Sequence, residues 1–384
     1  MFIPTKPSLH KFETIEEFKE KYKYGTEGYY EPWVSAVVEN GMVNYNKTER
    51  EKLADTPLTF KIISGGTIVW KASDNAYTKT IEYKKNDGEW VEITSTTAGT
   101  SLNVSDGDDV AFRGNNTAYG DLNARRNTFR NSTAMFDVEG NIMSLIDSTG
   151  YTTARTLSAG YTFYGLFSEC PGLISAEKLI LPATSLTKSC YMALFQACTG
   201  LTTPPVLPAT TLTDGCYAYM FDLCPSLTTA PNLPAMTLFN NCYQNMFSRC
   251  TNLIASPELP ATTLAGRCYG EMFSGCTGLT IAPALPATAL AGNCYSHMFQ
   301  GCANLTSAPE LPATTLAYQC YSGMFYGCTS LTTATELPAA TLAYGCYIGM
   351  FQGCTSLTSA PVLPATTLAS DCYAFMFQGC RSLT

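Results

Sequence analysis

The most reactive side chains in this sequence are its 17 cysteines, and all of them fall between Cys170 and Cys380. From Cys190 onward they come in pairs eight residues apart, such as Cys190 with Cys198 and Cys320 with Cys328, and each pair follows the last by 26 residues. Thiols at fixed spacing can close disulfides, hold a metal or act as nucleophiles. A disulfide needs its Cα atoms within roughly 7 Å. Eight residues along a helix rise ~12 Å, and neighbouring helices pack ~8–10 Å apart. No Cys-x-x-Cys pair occurs, and the histidines are only His10 and His297. The cysteines therefore read as buried free thiols that fill space as small apolar side chains, with no metal and no cofactor. Cysteines of this kind do not report a redox compartment.

Other chemistry is equally sparse. Catalysis needs a few unlike residues converging on one point, and the chain holds no Ser/His/Asp set, carboxylate pair or phosphate-binding glycine loop. His297 stands where other repeats carry Gly, Glu or Phe, and reads as a surface variant. The recurring Leu-Pro-Ala-Thr-Thr resembles a sortase signal but lacks its glycine, and reads as a structural corner. The expectation is a protein that is not an enzyme. What the repeats can do is bind along a line. One candidate ligand-binding column is Thr203, Thr229, Ser307, Thr333 and Ser359, and a second is Asn232, Glu258, Glu310 and Glu336. Tyr219, Tyr318, Tyr326, Tyr344 and Phe375 add possible aromatic contacts on the other side of each unit.

These residues are positioned by a 26-residue unit that recurs eight times from residue 181 without slippage, its second cysteine running from Cys198 to Cys380. A fixed period of this length marks a stacked repeat. Cys320, Tyr321, Met324, Phe325 and Cys328 lie at offsets 0, 1, 4, 5 and 8, which places them on one face of a short helix. Gly327 loosens the chain after it, Leu331-Thr-Thr-Ala334 reads as a brief strand, and Leu337-Pro338 makes a corner. One unit buries about eight apolar side chains, each contributing at most ~1.5–3 kcal/mol. Ordering its backbone costs ~1–2 kcal/mol per residue, so a unit is stable only between neighbours. Stacking should align leucines from Leu201 to Leu383, tyrosines from Tyr191 to Tyr373 and phenylalanines from Phe195 to Phe377.

The segment Met-Phe-x-Gly-Cys-Thr-Ser-Leu-Thr-x-Ala-Pro resembles the Ala-Phe-x-x-Cys-x-x-Leu-x-x-Ile of BspA-type leucine-rich repeats, which are abundant in surface proteins of Bacteroides and its relatives. The likeness covers about residues 155–384; it departs in a unit a few residues longer and in the proline after the strand alanine. It implies a right-handed α/β leucine-rich-repeat solenoid with 26-residue repeats, presenting a concave sheet for adhesion or ligand binding. Phe163, Leu166, Phe167 and Cys170 fit the pattern as a degenerate capping repeat.

The expected organisation is multidomain. Residues 1–57 are an N-terminal segment, with a helix from the Thr14/Glu17 capping box to about Lys23 and a hairpin from Trp33 to Asn46 turning at Asn40-Gly41. Residues 58–145 form an N-terminal β-sandwich, read from six short apolar runs between Leu58 and Arg113 separated by turn signals such as Asn86-Asp-Gly88, with a last strand at Phe136–Val138 and Ile142-Met143. Phe112-Arg-Gly-Asn-Asn116 and Gly140-Asn-Ile-Met-Ser-Leu145 resemble the small β-sandwich that precedes such repeats in Bacteroides proteins, which implies a cap for the stack. Residues 146–384 are the solenoid.

Residues 181–384 carry only 4 Lys/Arg and 7 Asp/Glu, and the whole chain has a net charge of −8. Such a surface cannot grip a phosphate backbone by counterion release, so nucleic acid is excluded as a partner. No apolar leader follows Met1 and no 18-residue apolar run exists, so neither a signal peptide nor a transmembrane segment is visible. The resemblance nonetheless implies an extracellular or cell-surface location and a non-enzymatic binding or adhesion function, with a host or bacterial surface protein or glycan as partner. The alternative is a structural spacer of a phage tail or surface layer. It rests on Tyr30-Glu-Pro-Trp-Val34 and Val43-Asn-Tyr45, which are similar to segments of Bacteroides prophage and tail-associated proteins.

Overall fold

The computed structural model describes two strands at 36–39 and 42–45 and the continuous chain 48–384. The helix expected from Thr14 to Lys23 lies outside the described residues. Strands β1 (Ala36–Glu39) and β2 (Met42–Tyr45) pair antiparallel, with Ala36 opposite Tyr45 and Glu39 opposite Met42. That antiparallel register agrees with the expected hairpin, whose turn at Asn40-Gly41 lies outside the described residues. A short helix α1 (Glu49–Ala54) follows. Thr48 caps it by accepting from the Glu51 N–H at 3.0 Å, and the Glu51 carboxylate accepts from the Thr48 N–H at 2.8 Å.

Nine further strands follow: β3 (Leu58–Ser64), β4 (Gly66–Ala72), β5 (Thr80–Lys85), β6 (Val91–Thr94), β7 (Thr100–Val104), β8 (Asp109–Arg113), β9 (Asn127–Thr128), β10 (Met135–Asn141) and β11 (Leu173–Ile180). The described chain is β-rich with very few helices. One sheet has the order β11-β10-β3-β8-β5-β6 and a second the order β7-β4-β9. The two share an aromatic core. Phe60 on β3 stacks on Phe136 of β10 at 4.4 Å, and Phe129 touches both Phe60 and Trp70 of β4 at 4.8 Å. The Trp70 indole N–H donates to the Lys79 carbonyl at 2.9 Å, so its burial leaves no donor unmet. Ile142-Met143 does not extend β10. It belongs to a 3₁₀ turn, Ile142–Leu145, capped by the Asn141 side chain.

The 26-residue units stack as expected, but without the helix. No α-helix occurs among the described residues after Ala54. The segment Cys320–Cys328 is instead a ladder of overlapping turns. The N–H groups of Ser322, Met324, Tyr326 and Cys328 each donate three residues back, to Gln319, Tyr321, Gly323 and Phe325. Those of Tyr321, Gly323, Phe325 and Gly327 donate to Cys346, Ile348, Met350 and Gln352 of the next coil, at 2.8–3.0 Å. Half the donors are thus spent between coils, and an α-helix, which spends all of them within itself, cannot coexist with that pattern. The turns need left-handed backbone every fourth residue, here Gln319, Gly323 and Gly327 with φ of 48°, 59° and 73°. Offsets of 0, 1, 4, 5 and 8 fit a four-residue turn period as well as they fit a helix.

The brief strand of each unit is also weaker than expected. Beyond β11 the coils meet on that side through single parallel bridges, such as Ser175 with Thr203 and Ser307 with Thr333. Prolines such as Pro309 and Pro312 have no N–H to give a ladder. There is therefore no continuous concave sheet among the described residues.

Inside the stack, like residues lie on like. Tyr295, Tyr321 and Tyr347 stack at 5.7 Å, and Phe273, Phe299 and Phe325 at 5.7 Å, with rings within 8° of parallel. Both columns run back past the first repeat. Tyr191 stacks on Phe163 and then Tyr119; Phe195 stacks on Phe167 and then Phe129. β10 pairs parallel with β11 of the degenerate repeat. The β-rich region therefore supplies the rung beneath the first coil, and one apolar core passes from Leu58 to Met376.

Candidate binding face

The interior offers no reactive group. Each second cysteine points its thiol at the carbonyl of the phenylalanine one coil back: Cys224 to Phe195 at 3.0 Å, Cys276 to Phe247 at 2.9 Å and Cys328 to Phe299 at 3.0 Å. All 17 cysteines are free, and all but Cys380 are fully buried. Loss of solvation penalises the thiolate, so burial pushes Cys268 and Cys354 up to about 12 and Cys276 well above its ordinary value. These thiols are buried spacers, and the second of each pair is also hydrogen-bonded. Among the described residues no group of three His, Cys, Asp or Glu side chains is placed to hold a metal.

The outer surface has two sides that differ in kind. On the side of the single bridges lie the two columns named from the sequence. Thr229, Ser307, Thr333, Ser359, Asn232, Glu258, Glu310 and Glu336 are exposed, and Thr203 is half-buried where it bridges Ser175. Residues of one column recur on successive coils, so they form open lines. Neither of the two clefts described below is lined by them.

On the turn side, three columns carry the left-handed residues: the one before the first cysteine, the one three after it and the one seven after it. In the coil of Cys346 these are Gly345, Gly349 and Gly353; in the coil of Cys268 they are Arg267, Glu271 and Gly275. The first two columns line a cleft of about 240 Å³ with Arg267, Glu271, Asn293, His297 and Gln319, joined by Gln244, Gly270 and Ser296. A second cleft of about 270 Å³ adjoins it at Gln244 and is lined by Tyr161, Tyr164, Tyr219 and Asp121 among others. The sequence reading reached this face through its aromatic residues Tyr219, Tyr318, Tyr326, Tyr344 and Phe375 and through His297 as a surface variant, and missed the polar wall of Arg267, Glu271, Asn293 and Gln319. A signal was present, because Gly and Asn, the residues that accept left-handed backbone, recur at these columns.

The first cleft is electrically balanced. Arg267 and Glu271 bring opposite charges, and burial shifts His297 downward, toward the neutral imidazole, against the pull of Glu271. His297 is half-buried, hydrogen-bonded through Nδ1 to Ser296 at 2.9 Å, and lies over Gly323 of the next coil; a Cβ at Gly323 would come within 2.5 Å of its ring. Glu271 accepts from the Asn245 amide at 3.3 Å. Among the described residues the side chains of Gln244, Arg267, Asn293 and Gln319 have no hydrogen-bond partner, unlike the Gln196–Asp222 and Gln352–Gln378 pairs of other coils, which join at 2.9 and 2.6 Å. Next to the cleft, Tyr318 and Tyr344 stack at 5.4 Å, 6° from parallel and about half exposed. Backbone bonds from Asn293 to Tyr318 and from Gln319 to Tyr344, 2.9 and 3.0 Å, tie that pair to the cleft wall.

Compared with known proteins, the chain matches no family model, no curated protein and no solved structure.

Proposed function

We propose that this chain is a non-enzymatic binding or adhesion protein of the cell surface or extracellular space. In this reading the stack is a right-handed leucine-rich-repeat solenoid of BspA type whose helix has been replaced by a turn ladder, and the region before it is a β-sandwich that caps and presents it. The observation that carries the reading is the segregation of roles. The interior is a ladder of leucine, phenylalanine, tyrosine and cysteine with its thiols held protonated, while charged and amide side chains collect on the outer faces. Sparse charge favours short-range hydrogen bonding over electrostatic steering of the partner.

The test is retention. The purified chain, immobilised, is exposed to labelled bacterial cells and to host surface glycoproteins; saturable binding is expected. Absence of any saturable binding would sink this reading and leave the structural spacer of a phage tail or surface layer in its place.

A further inference from the structure

We infer that the cleft formed by Arg267, Glu271, Asn293, His297 and Gln319 is a saccharide site that takes one ring of a neutral glycan, with the Tyr318–Tyr344 pair as the platform for the adjoining ring. The inference rests on the reading of the chain as a binding protein and says what it binds and where.

Four features point to this ligand class. The first is size. The cleft, about 240 Å³, is smaller than the ~300–1,000 Å³ that encloses a drug-sized ligand, so it fits a single ring and leaves the rest of a chain outside. The second is the kind of group on its wall. Planar amide, carboxylate and guanidinium groups can each engage two neighbouring atoms at once, the spacing that vicinal hydroxyls of a sugar offer. The partnerless Arg267, Asn293 and Gln319 leave that capacity open. The third is charge. One cation and one anion cancel, so a ligand with net charge gains nothing that it does not lose. The fourth is the aromatic pair. Two tyrosines stacked parallel on each other, each about half exposed, keep aromatic surface open beside the cleft, against which the C–H face of a pyranose can pack.

The experiment applies the full chain to an array of neutral oligosaccharides of hexose, pentose and N-acetylhexosamine units, beside sialylated and sulfated ones. Binding to one or more neutral glycans is expected. It should weaken about tenfold or more in Arg267→Gln/Glu271→Gln and in Tyr318→Ala/Tyr344→Ala, with each variant melting near the parent's temperature. Binding confined to acidic glycans overturns the inference. So does neutral binding that both variants keep, or that is lost instead in Glu310→Gln/Glu336→Gln. A chain that binds a surface protein but no saccharide overturns the site and leaves the proposed function standing; a chain that binds neither overturns both.

Discussion

At the scale of single residues, backbone hand matters more than side-chain type. Gly353 has φ of 76°, and a Cβ there would meet Gly327 of the previous coil at an ordinary 3.6 Å. Space is available, so only the left-handed backbone opposes a side chain. Gly353→Ala should therefore lower stability by about 1–2 kcal/mol, and Gly353→Asn by less. In a helix the same alanine would raise stability by about 1 kcal/mol, so the sign of the change in urea midpoint decides between the turn ladder and the helix. The thiols allow a second check. Buried and held protonated, they should react with a thiol-titrating disulfide at pH 8 only slowly in the native protein, half-buried Cys380 first, and all 17 at once in denaturant. Fast native labelling of Cys276 would contradict the burial. Cys276→Ala removes both packing and the bond to the Phe247 carbonyl, and should cost about 1–3 kcal/mol in a urea titration.

Among the elements, β8 alternates in burial, whereas β3 buries Leu58, Thr59 and Phe60 in a row and β4 buries Ile68, Val69 and Trp70. The six apolar runs between Leu58 and Arg113 coincide with β3 to β8, except that Trp90 lies just before β6. Asp108, just before β8, accepts from the Ser105 N–H at 2.7 Å and the Asn86 amide at 2.9 Å and pairs with Lys85 at 2.7 Å. The hydrogen bonds from Lys85, Ser105 and Asn86 hold its carboxyl at about 2. A folded-state value below that of the unfolded chain contributes stability that is complete above about pH 4. That stability is lost as pH falls toward 2. Urea midpoints taken from about pH 5 down to 2 should fall, and Asp108→Asn should flatten part of that slope; an unchanged slope would count against the linkage. Helix α1 was not read from the sequence: six residues are too few to show a helical period, although Thr48 and Glu51 form its capping box.

For the whole molecule, the coils are interchangeable neighbours. Each coil bonds to the one before and the one after, and the ladders repeat every 26 residues. Deleting 281–306, one whole repeat, should leave every ladder in register and a cooperative melt, whereas deleting 281–293 should abolish it. Thermal circular dichroism reads both. The parent spectrum should also lack the paired minima of a helix, because the stack is built of turns. The continuous aromatic columns from Tyr119 and Phe129 into the repeats couple the first coils to the β-rich region. Phe129→Ala should therefore lower the melting temperature of the stack as well as of the sheets.

The sequence by itself determined the period, the stacking, the ladder residues and the burial of the thiols, because a pattern repeated eight times admits one alignment of neighbours. It also placed the exposed Thr/Ser and Asn/Glu columns, since those positions vary or stay polar from unit to unit while the ladder leucines do not. Only the tertiary structure decided between helix and turn ladder. Apolar offsets of 0, 1, 4, 5 and 8 satisfy both, and the choice turns on where the backbone donors go, which a neighbouring coil settles. The cleft was hidden for the same reason. Arg267, Asn293 and Gln319 are strangers in sequence, 26 residues apart, and only left-handed backbone on adjacent coils turns them outward into one wall.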